Sequence, residues 1–287
     1  MRKPCLYPRQ HRQGIALIAV LWIVAALSII VTGVVHSVRS EVRLINHSRQ
    51  AVEGVALGEA AIALVLQDMS TRTERPTQLV QIDVAYIGHP IQVQVLPLSG
   101  LIDINSASVP LLTSLYAVAG AKDEVAAAAL AEATLQVRSE RDKQGREKGF
   151  EAAQDLLRVP GVDFDLYARL SPLITAEAQK SGGQVNPQAA PDEVLAVLAQ
   201  GNLGLASELA AKRASGDTHM DTTRLNAPFI GNTASSRYKL QARVALADGI
   251  HVLVSHSVDL RPDSRSGLPW RIFHAEHWTQ AAPITGV

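Results

Sequence analysis

Histidines and paired carboxylates are the side chains of this chain whose types could hold a metal. His274 and His277 form the densest histidine cluster, in the segment His-Ala-Glu-His. On a β-strand, residues three apart point to opposite faces, so these two rings would not converge on one ion. His251 and His256 have the same difficulty. The spacing therefore predicts surface or edge-strand histidines rather than a metal site.

Two aspartate pairs, Asp163 with Asp165 and Asp217 with Asp221, could offer oxygen ligands to calcium. Neither pair lies in a loop with a recognised calcium-binding spacing. Metal ligation is therefore only weakly indicated.

Nucleophilic and hydrolytic catalysis have no recognisable motif in this sequence. It contains no Gly-x-Ser-x-Gly, no Gly-x4-Gly-Lys-Ser/Thr and no His-Glu-x-x-His. The one cysteine, Cys5, has no local partner and cannot form a disulfide within the chain. We expect no enzymatic activity and no cofactor.

The N-terminus joins a basic leader to a long apolar run. Residues 15–35, 21 in all, carry no charge, and four basic residues precede Gly14: Arg2, Lys3, Arg9 and Arg12. As a helix the apolar run would span roughly 30 Å, the thickness of the hydrocarbon core of a bilayer. The positive-inside rule then places the leader in the cytoplasm and the body across the membrane. A cleaved secretory signal and a plain anchor are the alternatives.

The helical pattern continues beyond the apolar run. No proline lies between Pro8 and Pro76, and apolar residues recur mostly three, four or seven positions apart: Val38, Val42, Ile45, Val52, Val55, Ile62 and Leu66. We predict one helix from Ile15 to about Ser70, about 80 Å long. Gly54 and Gly58 would allow close contact with another helix.

Period-two patterns predict β-strands on both sides of a helical block. The first hairpin pairs 80–86 with 91–95 around Gly88-His89-Pro90, and a short strand follows to Ile104. The last strands are 238–246, 250–254 and 270–278, with a turn at Asp248-Gly249. Helices are predicted between them at 110–118, 123–138, 150–158, 166–174, 191–199 and 206–213. Because a lone hairpin is only marginally stable, the early strands should pair with the late ones.

A weak internal echo links two segments of the helical block. "INSASVP" (104–110) and "VNPQAAP" (185–191) both place a proline five residues after an asparagine. Each proline would lie in the first turn of a helix. A duplicated helical hairpin is one interpretation, and chance is the other.

Residues 155–170, "DLLRVPGVDFDLYARL", resemble a helix-hairpin-helix, a motif that binds DNA phosphates in some proteins. Here Asp163 and Asp165 follow the hairpin and would repel phosphate. The chain has 27 basic and 27 acidic residues, and without the four basic leader residues 23 remain against 27. That balance lacks the positive field of a general nucleic-acid binder. We expect a structural hairpin and no nucleic-acid partner.

The leader, Gly14 and the apolar helix resemble the class III signal of type IV pilins and type II secretion pseudopilins. In that family a prepilin peptidase cleaves after the glycine and methylates the new N-terminus, which implies cleavage between Gly14 and Ile15 and N-methylation of Ile15. Most members carry a glutamate at the fifth mature position, thought to attract the N-terminal amine of a neighbouring subunit. This chain has Ala19 there. Ala19 and the split sheet make it similar to K-type minor pseudopilins.

The resemblance implies an α+β fold with four parts. These are a cleaved leader (1–14), a spine helix that is transmembrane in its first half (15–70), a discontinuous antiparallel sheet (71–105 and 217–280), and an inserted all-α domain (106–216) that contains the helix-hairpin-helix-like segment. Calcium is associated with the inserted domain of some relatives, so Asp217 and Asp221 are weak calcium candidates.

The implied function is that of a tip subunit in type II protein secretion, which helps to initiate the pseudopilus for export of folded proteins across the outer membrane. The implied partners are minor pseudopilins of I and J type, other pseudopilins and the prepilin peptidase. The implied location is the inner membrane, single-pass, with a cytoplasmic N-terminus and a periplasmic body. A type IV pilus-like minor tip pilin and a membrane-tethered periplasmic DNA-binding module are the alternatives.

Overall fold

The computed structural model describes residues 13–141, 143–177, 182–215, 220–246, 249–262 and 267–281. Within the helix and strands it leaves out the side chains of residues 13–16, 32–40, 42–44, 46–47 and 281. The chain forms two compact units, one ending at Glu53 and one beginning at Gly54. Helices and an antiparallel sheet together make the second unit a mixed α and β structure.

The first helix, α1, extends from Gln13 to Thr71, which confirms the predicted helix from Ile15 to about Ser70. The chain has no proline within this range to remove a backbone donor. The helix ends where polar residues and Pro76 follow. Arg72, just past the end, pairs with Asp68 at 2.8 Å on the exposed surface.

Five antiparallel strands form the main sheet in the order β1-β2-β5-β6-β7. Their bounds are β1 Val80–Tyr86, β2 His89–Pro97, β5 Arg237–Ala245, β6 Ile250–Asp259 and β7 Arg271–Ala281. Val93 of β2 lies opposite Ala242 of β5, so the predicted pairing of early with late strands is confirmed. The strands are adjacent in space although about 140 residues of sequence separate β2 from β5.

The turn of the first hairpin differs from the prediction. Ile87 and Gly88 form a two-residue turn with φ of 49° and 78°, while His89 and Pro90 already belong to β2. Two consecutive positive φ angles match the twist of the flanking strands, which explains why a two-residue turn is favoured. In the second hairpin Gly249 has a φ of 69°, and Asp248 lies outside the described residues.

The C-terminal part of α1 packs against one face of the sheet. This face and the helix share a buried core: Leu57, Ala61, Ile62, Val65, Leu66, Met69, Ile91, Val93, Val95, Tyr238, Leu240, Ala242, Val244, Val252, Val254, Val258 and Leu260. Tyr238 also donates its hydroxyl to the carbonyl of Pro76 at 3.2 Å. Burial of these apolar side chains holds the helix on the sheet.

Gly54 and Gly58 bring this helix close to β6. A Cβ on Gly54 would lie 2.9 Å from Cγ2 of Val252, and a Cβ on Gly58 would lie 2.6 Å from Cγ2 of Val254. The sequence indicates that these glycines permit close helix contact, and within this chain their close neighbour is a strand. Small residues allow close backbone approach to any neighbour, and a valine-lined strand is the neighbour here.

The residues between β2 and β5 form a second core of their own. The helices are α2 Val109–Val118, α3 Glu124–Arg138, α4 Phe164–Leu170, α5 Asp192–Leu198 and α6 Leu203–Ala214. Ser108, Asp123, Asp163 and Asn202 cap α2, α3, α4 and α6 with side-chain oxygens. Four of the six predicted helices are therefore confirmed within a few residues.

Two predicted helices differ from the structure. Residues 150–158 contain a 3₁₀ helix, Ala153–Arg158, and the segment predicted as 166–174 is helical only to Leu170. Ile174–Thr175 instead forms the short strand β4, which pairs in parallel with β3, Ile102–Asp103. The predicted short strand to Ile104 thus exists, but outside the main sheet. A two-residue strand leaves no periodicity to detect.

Asn105 and Asn186, the asparagines of the internal echo, both bridge distant backbone groups. Asn105 Nδ2 donates to the carbonyls of Phe150 and Ala176 at 2.8 and 2.7 Å, and its Oδ1 accepts from the Phe150 amide at 2.8 Å. Asn186 Nδ2 donates to the carbonyl of Thr77 at 3.1 Å. Pro110 lies in the first turn of α2 and Pro191 immediately precedes α5.

Candidate assembly surfaces

The two residues of the predicted cleavage site lie at the start of α1. Gly14 and Ile15 have helical backbones. Ala19, at the position of the usual pilin glutamate, is exposed on the same helix. Cleavage between Gly14 and Ile15 and methylation of Ile15 stay predictions.

The first unit exposes apolar side chains around the whole circumference of its helix. Between residues 17 and 31 the large ones are 54% to 74% exposed, with Trp22 and Ile29 at the upper end. Consecutive residues cover every face of a helix, so the apolar surface is not confined to one stripe. An uncovered apolar surface of this kind marks contact with a membrane or with other proteins.

Within the residues that the structure describes, no helix is both long and apolar enough to cross a membrane.

The helix-hairpin-helix-like segment is built for packing. Leu156, Val162, Leu166 and Leu170 point into the core of the inserted block. The turn uses Gly161 at a φ of 92°, where a side chain would be strained. Asp163 accepts from the Leu166 amide at 2.8 Å, and Arg158 lies 3.5 Å from Glu140. The carboxylates at this turn would repel phosphate, and the absence of a nucleic-acid partner stays a prediction.

Of the two weak calcium candidates, the structure describes only Asp221. Asp217 lies outside the described residues. Asp221 is exposed, and its carboxylate accepts from the amide and hydroxyl of Thr223 at 3.0 and 2.6 Å. These hydrogen bonds from Thr223 lower the pKa of Asp221, and the charges of Lys212 and Arg224 add to the effect. In the described part of the chain no three His, Cys, Asp or Glu residues cluster as a metal site would require.

The histidines of the late strands point to opposite faces, as the sequence spacing predicts. His274 lies opposite Ser257. His277 lies opposite Val254, which belongs to the core shared with α1. His256 is half-buried beside α1. Burial lowers the pKa of His256, while the charge of Glu59 on α1 opposes that shift. A neutral imidazole is therefore favoured at this position.

A cluster of charged side chains joins the inserted block to the second face of the sheet, which is the face opposite the one that packs against α1. Arg237 of β5 donates to Glu177, which follows β4, and its Nε lies 3.2 Å from Oδ2 of Asp259 at the end of β6. Arg261 donates to both oxygens of Asp259 through Nε at 3.0 and 2.9 Å. The Arg237 guanidinium also lies 5.6 Å from the ring centre of Phe273.

Asp259 is the buried centre of this cluster, with its side chain only 3% exposed. Burial alone would raise the pKa of its carboxyl group. Hydrogen bonds from Arg261 and Arg237 outweigh burial and hold the pKa at about 2. The group is therefore ionised at neutral pH, and its charge is fully compensated.

An open cavity of about 1490 Å³ lies between the second face of the sheet and the inserted block. The strand β7 lines it with Phe273, His274, Glu276, Trp278 and Gln280. From the inserted block, Tyr167 of α4 approaches this strand. Burial and the charge of Glu276 raise the pKa of Tyr167. The cavity is a surface cleft rather than an enclosed pocket.

Neither the charge cluster nor the cavity is predicted by the sequence analysis. The alternation of Lys239 and Gln241 with buried residues indicates a polar second face of β5, a signal that was available. Glu177 lies 60 positions from Arg237, and no local pattern connects them.

No family model matches the chain, and no curated protein matches it. Among solved structures, the chain is similar to a chain of the GspK–GspI–GspJ complex from the type 2 secretion system of enterotoxigenic Escherichia coli. The two are 14% identical, with a TM-score of 0.49. The similarity covers 84% of this chain and 100% of that chain.

Proposed function

We propose that this chain is a K-type minor pseudopilin of a type II secretion system. The supporting observation is the continuity of α1 from the Gly14-Ile15 signal to Thr71, with residues 54–71 packed on a sheet that an inserted helical block interrupts in sequence. A prepilin peptidase signal would explain the Gly14-Ile15 junction. A pilin-like body would explain the long helix packed on the sheet, and an inserted domain would explain the interruption of that sheet in sequence.

In this proposal the apolar part of α1 serves first as a membrane anchor and then as a contact for sister helices. The 21 uncharged residues 15–35 and the exposed side chains of residues 17–31 support both roles. The basic leader supports a cytoplasmic N-terminus, with the body in the periplasm. Prepilin peptidase removes the leader and methylates Ile15.

The position at the tip follows from what this chain lacks and what it adds. Ala19 cannot offer a carboxylate to the N-terminal amine of a neighbouring subunit. The inserted block would also obstruct a further subunit stacked above it. Both features suit a subunit that begins the filament together with I-type and J-type minor pseudopilins. The same resemblance implies no enzymatic role and no nucleic-acid partner.

Deletion of the gene for this chain in its native cell tests the proposal. Folded exoproteins should then accumulate in the periplasm, and a plasmid copy of the chain should restore their export. Pilus-dependent twitching and DNA uptake should stay normal. Normal export in the deletion strain would contradict the proposal, whereas lost twitching with normal export would favour a type IV pilus subunit.

A further inference from the structure

The last strand of the sheet has an open edge. β7 pairs with β6 over Arg271–Ala281, and within the described residues no strand pairs with its other side. A row of unpaired backbone donors and acceptors is a template for another extended chain. Proteins protect such edges with proline, charged side chains, bulges or short length. β7 has no proline and is 11 residues long, and its register shift lies near one end, beside Ser257 and Val258. Its charged residues are Arg271, at that same end, and Glu276.

Side chains on one face of β7 could select which sequence pairs with this edge. Glu276 and Trp278 line the open cavity, with the Glu276 side chain 39% exposed and Trp278 38% exposed. An added strand would place alternate side chains beside these two residues on the cavity face.

The charges of the cavity favour a basic residue opposite Glu276. Five carboxylates and two cations line the cavity: Glu151, Glu177, Asp192, Glu193, Glu276, Arg169 and Lys239. Glu177 and Asp192 are already paired with arginines. Glu276 lies 3.7 Å from Lys239 and 3.4 Å from His274, and its edge position leaves it open to a cation on the added strand. Opposite charges directly across a strand pair stabilise the pair.

A second copy of this chain is a poor occupant. Full overlap of two β7 strands in antiparallel orientation would bring residue 271 opposite 281 and Glu276 opposite Glu276. Two like charges directly opposite destabilise a strand pair. In the register with the longest overlap, pairing with a second copy is therefore disfavoured.

We propose that the β7 edge binds an extended segment of a different protein by strand addition. The segment carries a lysine or arginine opposite Glu276 and a β-branched or aromatic residue beside Trp278. The inference does not depend on the proposed function, because it rests on the strand edge, the cavity and their charges.

A pair of capped peptides tests this proposal with the full chain in detergent. One has the sequence Thr-Val-Thr-Lys-Thr-Val-Thr, and the other has Glu in place of Lys. The lysine peptide should bind about five-fold more tightly in calorimetry, since one cross-strand charge pair contributes up to about that factor. It should slow amide hydrogen exchange in residues 271–281 and leave β1 (80–86), the other open edge, unchanged.

Charge variants at the two edges of the sheet test whether the Glu276 carboxylate causes the preference for the lysine peptide. Glu276→Lys should reverse the preference between the peptides, and Glu276→Gln should remove it, which also covers the case that the lysine variant fails to fold. Asp83→Lys, at an exposed carboxylate on β1, is the matched control and should leave the preference unchanged.

Four results would overturn the proposal. These are no binding at about 1 mM peptide, equal affinity for both peptides, protection at β1 instead of β7, and dimerisation of the chain through β7 in sedimentation velocity. The first three would remove the site or its charge selectivity. The fourth would make a second copy the occupant.

Discussion

Asp259 is a buried carboxylate that pairs with two arginines. Its pKa of about 2 lies below the ordinary value of 3.8, because the hydrogen bonds from Arg261 and Arg237 outweigh the effect of burial. A lowered pKa contributes stability that is complete above the unfolded value and is lost as the pH falls towards the folded value. The shift corresponds to about 2 kcal/mol.

We therefore expect Asp259→Asn to lower the free energy of unfolding by about 2 kcal/mol at pH 7. The difference from the wild type should hold down to about pH 4 and shrink between pH 4 and pH 2. Urea denaturation of both proteins at several pH values measures it. A constant difference down to pH 2 would show that the Asp259 charge is not the cause.

Asn105 holds distant segments of the inserted block together. Its amide makes three hydrogen bonds to backbone groups of Phe150 and Ala176, segments 45 and 71 positions away. Asn105→Ala should lower the free energy of unfolding by about 2–4 kcal/mol, because partly buried backbone groups lose their partners. Ser108→Ala, which removes only a 3.4 Å helix-cap contact, should cost about 1 kcal/mol or less. Equal losses in urea denaturation would contradict this role of Asn105.

Helix α1 and the sheet are the elements whose contact forms one of the two cores of the body. At Gly58 a Cβ would come within 2.6 Å of Val254 Cγ2, closer than packed side chains allow. Gly58→Ala should therefore lower the free energy of unfolding by about 1–3 kcal/mol, despite the better helix propensity of alanine.

Gly204 of α6 provides the matched control for Gly58. A Cβ there would meet only Asn202 Oδ1 at an ordinary 3.5 Å, so Gly204→Ala should be neutral or slightly stabilising. Urea denaturation compares the two variants. A neutral Gly58→Ala would mean that the helix does not pack as closely on β6 as the structure indicates.

Long periodic elements could be predicted from the sequence, and contacts between distant segments could not. The alternation of Val93, Val95 and their neighbours predicts strands, and the spacing of Ile62 and Leu66 predicts a helix with a buried face. That the buried face meets β6 rather than another helix depends on tertiary packing. The short β3–β4 pair joins segments about 70 positions apart, which no local pattern predicts.

For the candidate surfaces the division is similar. The proposed cleavage signal at Gly14-Ile15 is local, so it can be proposed from neighbouring residues alone. The cavity combines α4, the segment after β4 and four strands of the main sheet (β2, β5, β6 and β7), which no sequence pattern brings together. The charge cluster of Glu177, Arg237 and Asp259 is equally scattered along the chain.

In the molecule as a whole, we expect leader removal and folding of the body to be separable. The body begins at Gly54 and makes its own core, so a change at Gly14 leaves its contacts intact. We expect Gly14→Lys to block leader removal and to abolish export, with an unchanged urea denaturation curve. Arg12→Lys, which keeps the charge of the leader, should mature and support export. Normal export by Gly14→Lys would contradict the assembly role.

The central claim is that this chain is processed as a pseudopilin, and the mass of its N-terminal peptide tests it most directly. The chain should be extracted from membranes of cells that contain the prepilin peptidase and analysed by mass spectrometry. The account predicts a mature chain that begins with N-methylated Ile15. An intact leader beginning at Met1 would contradict it and would leave the apolar segment as an anchor alone.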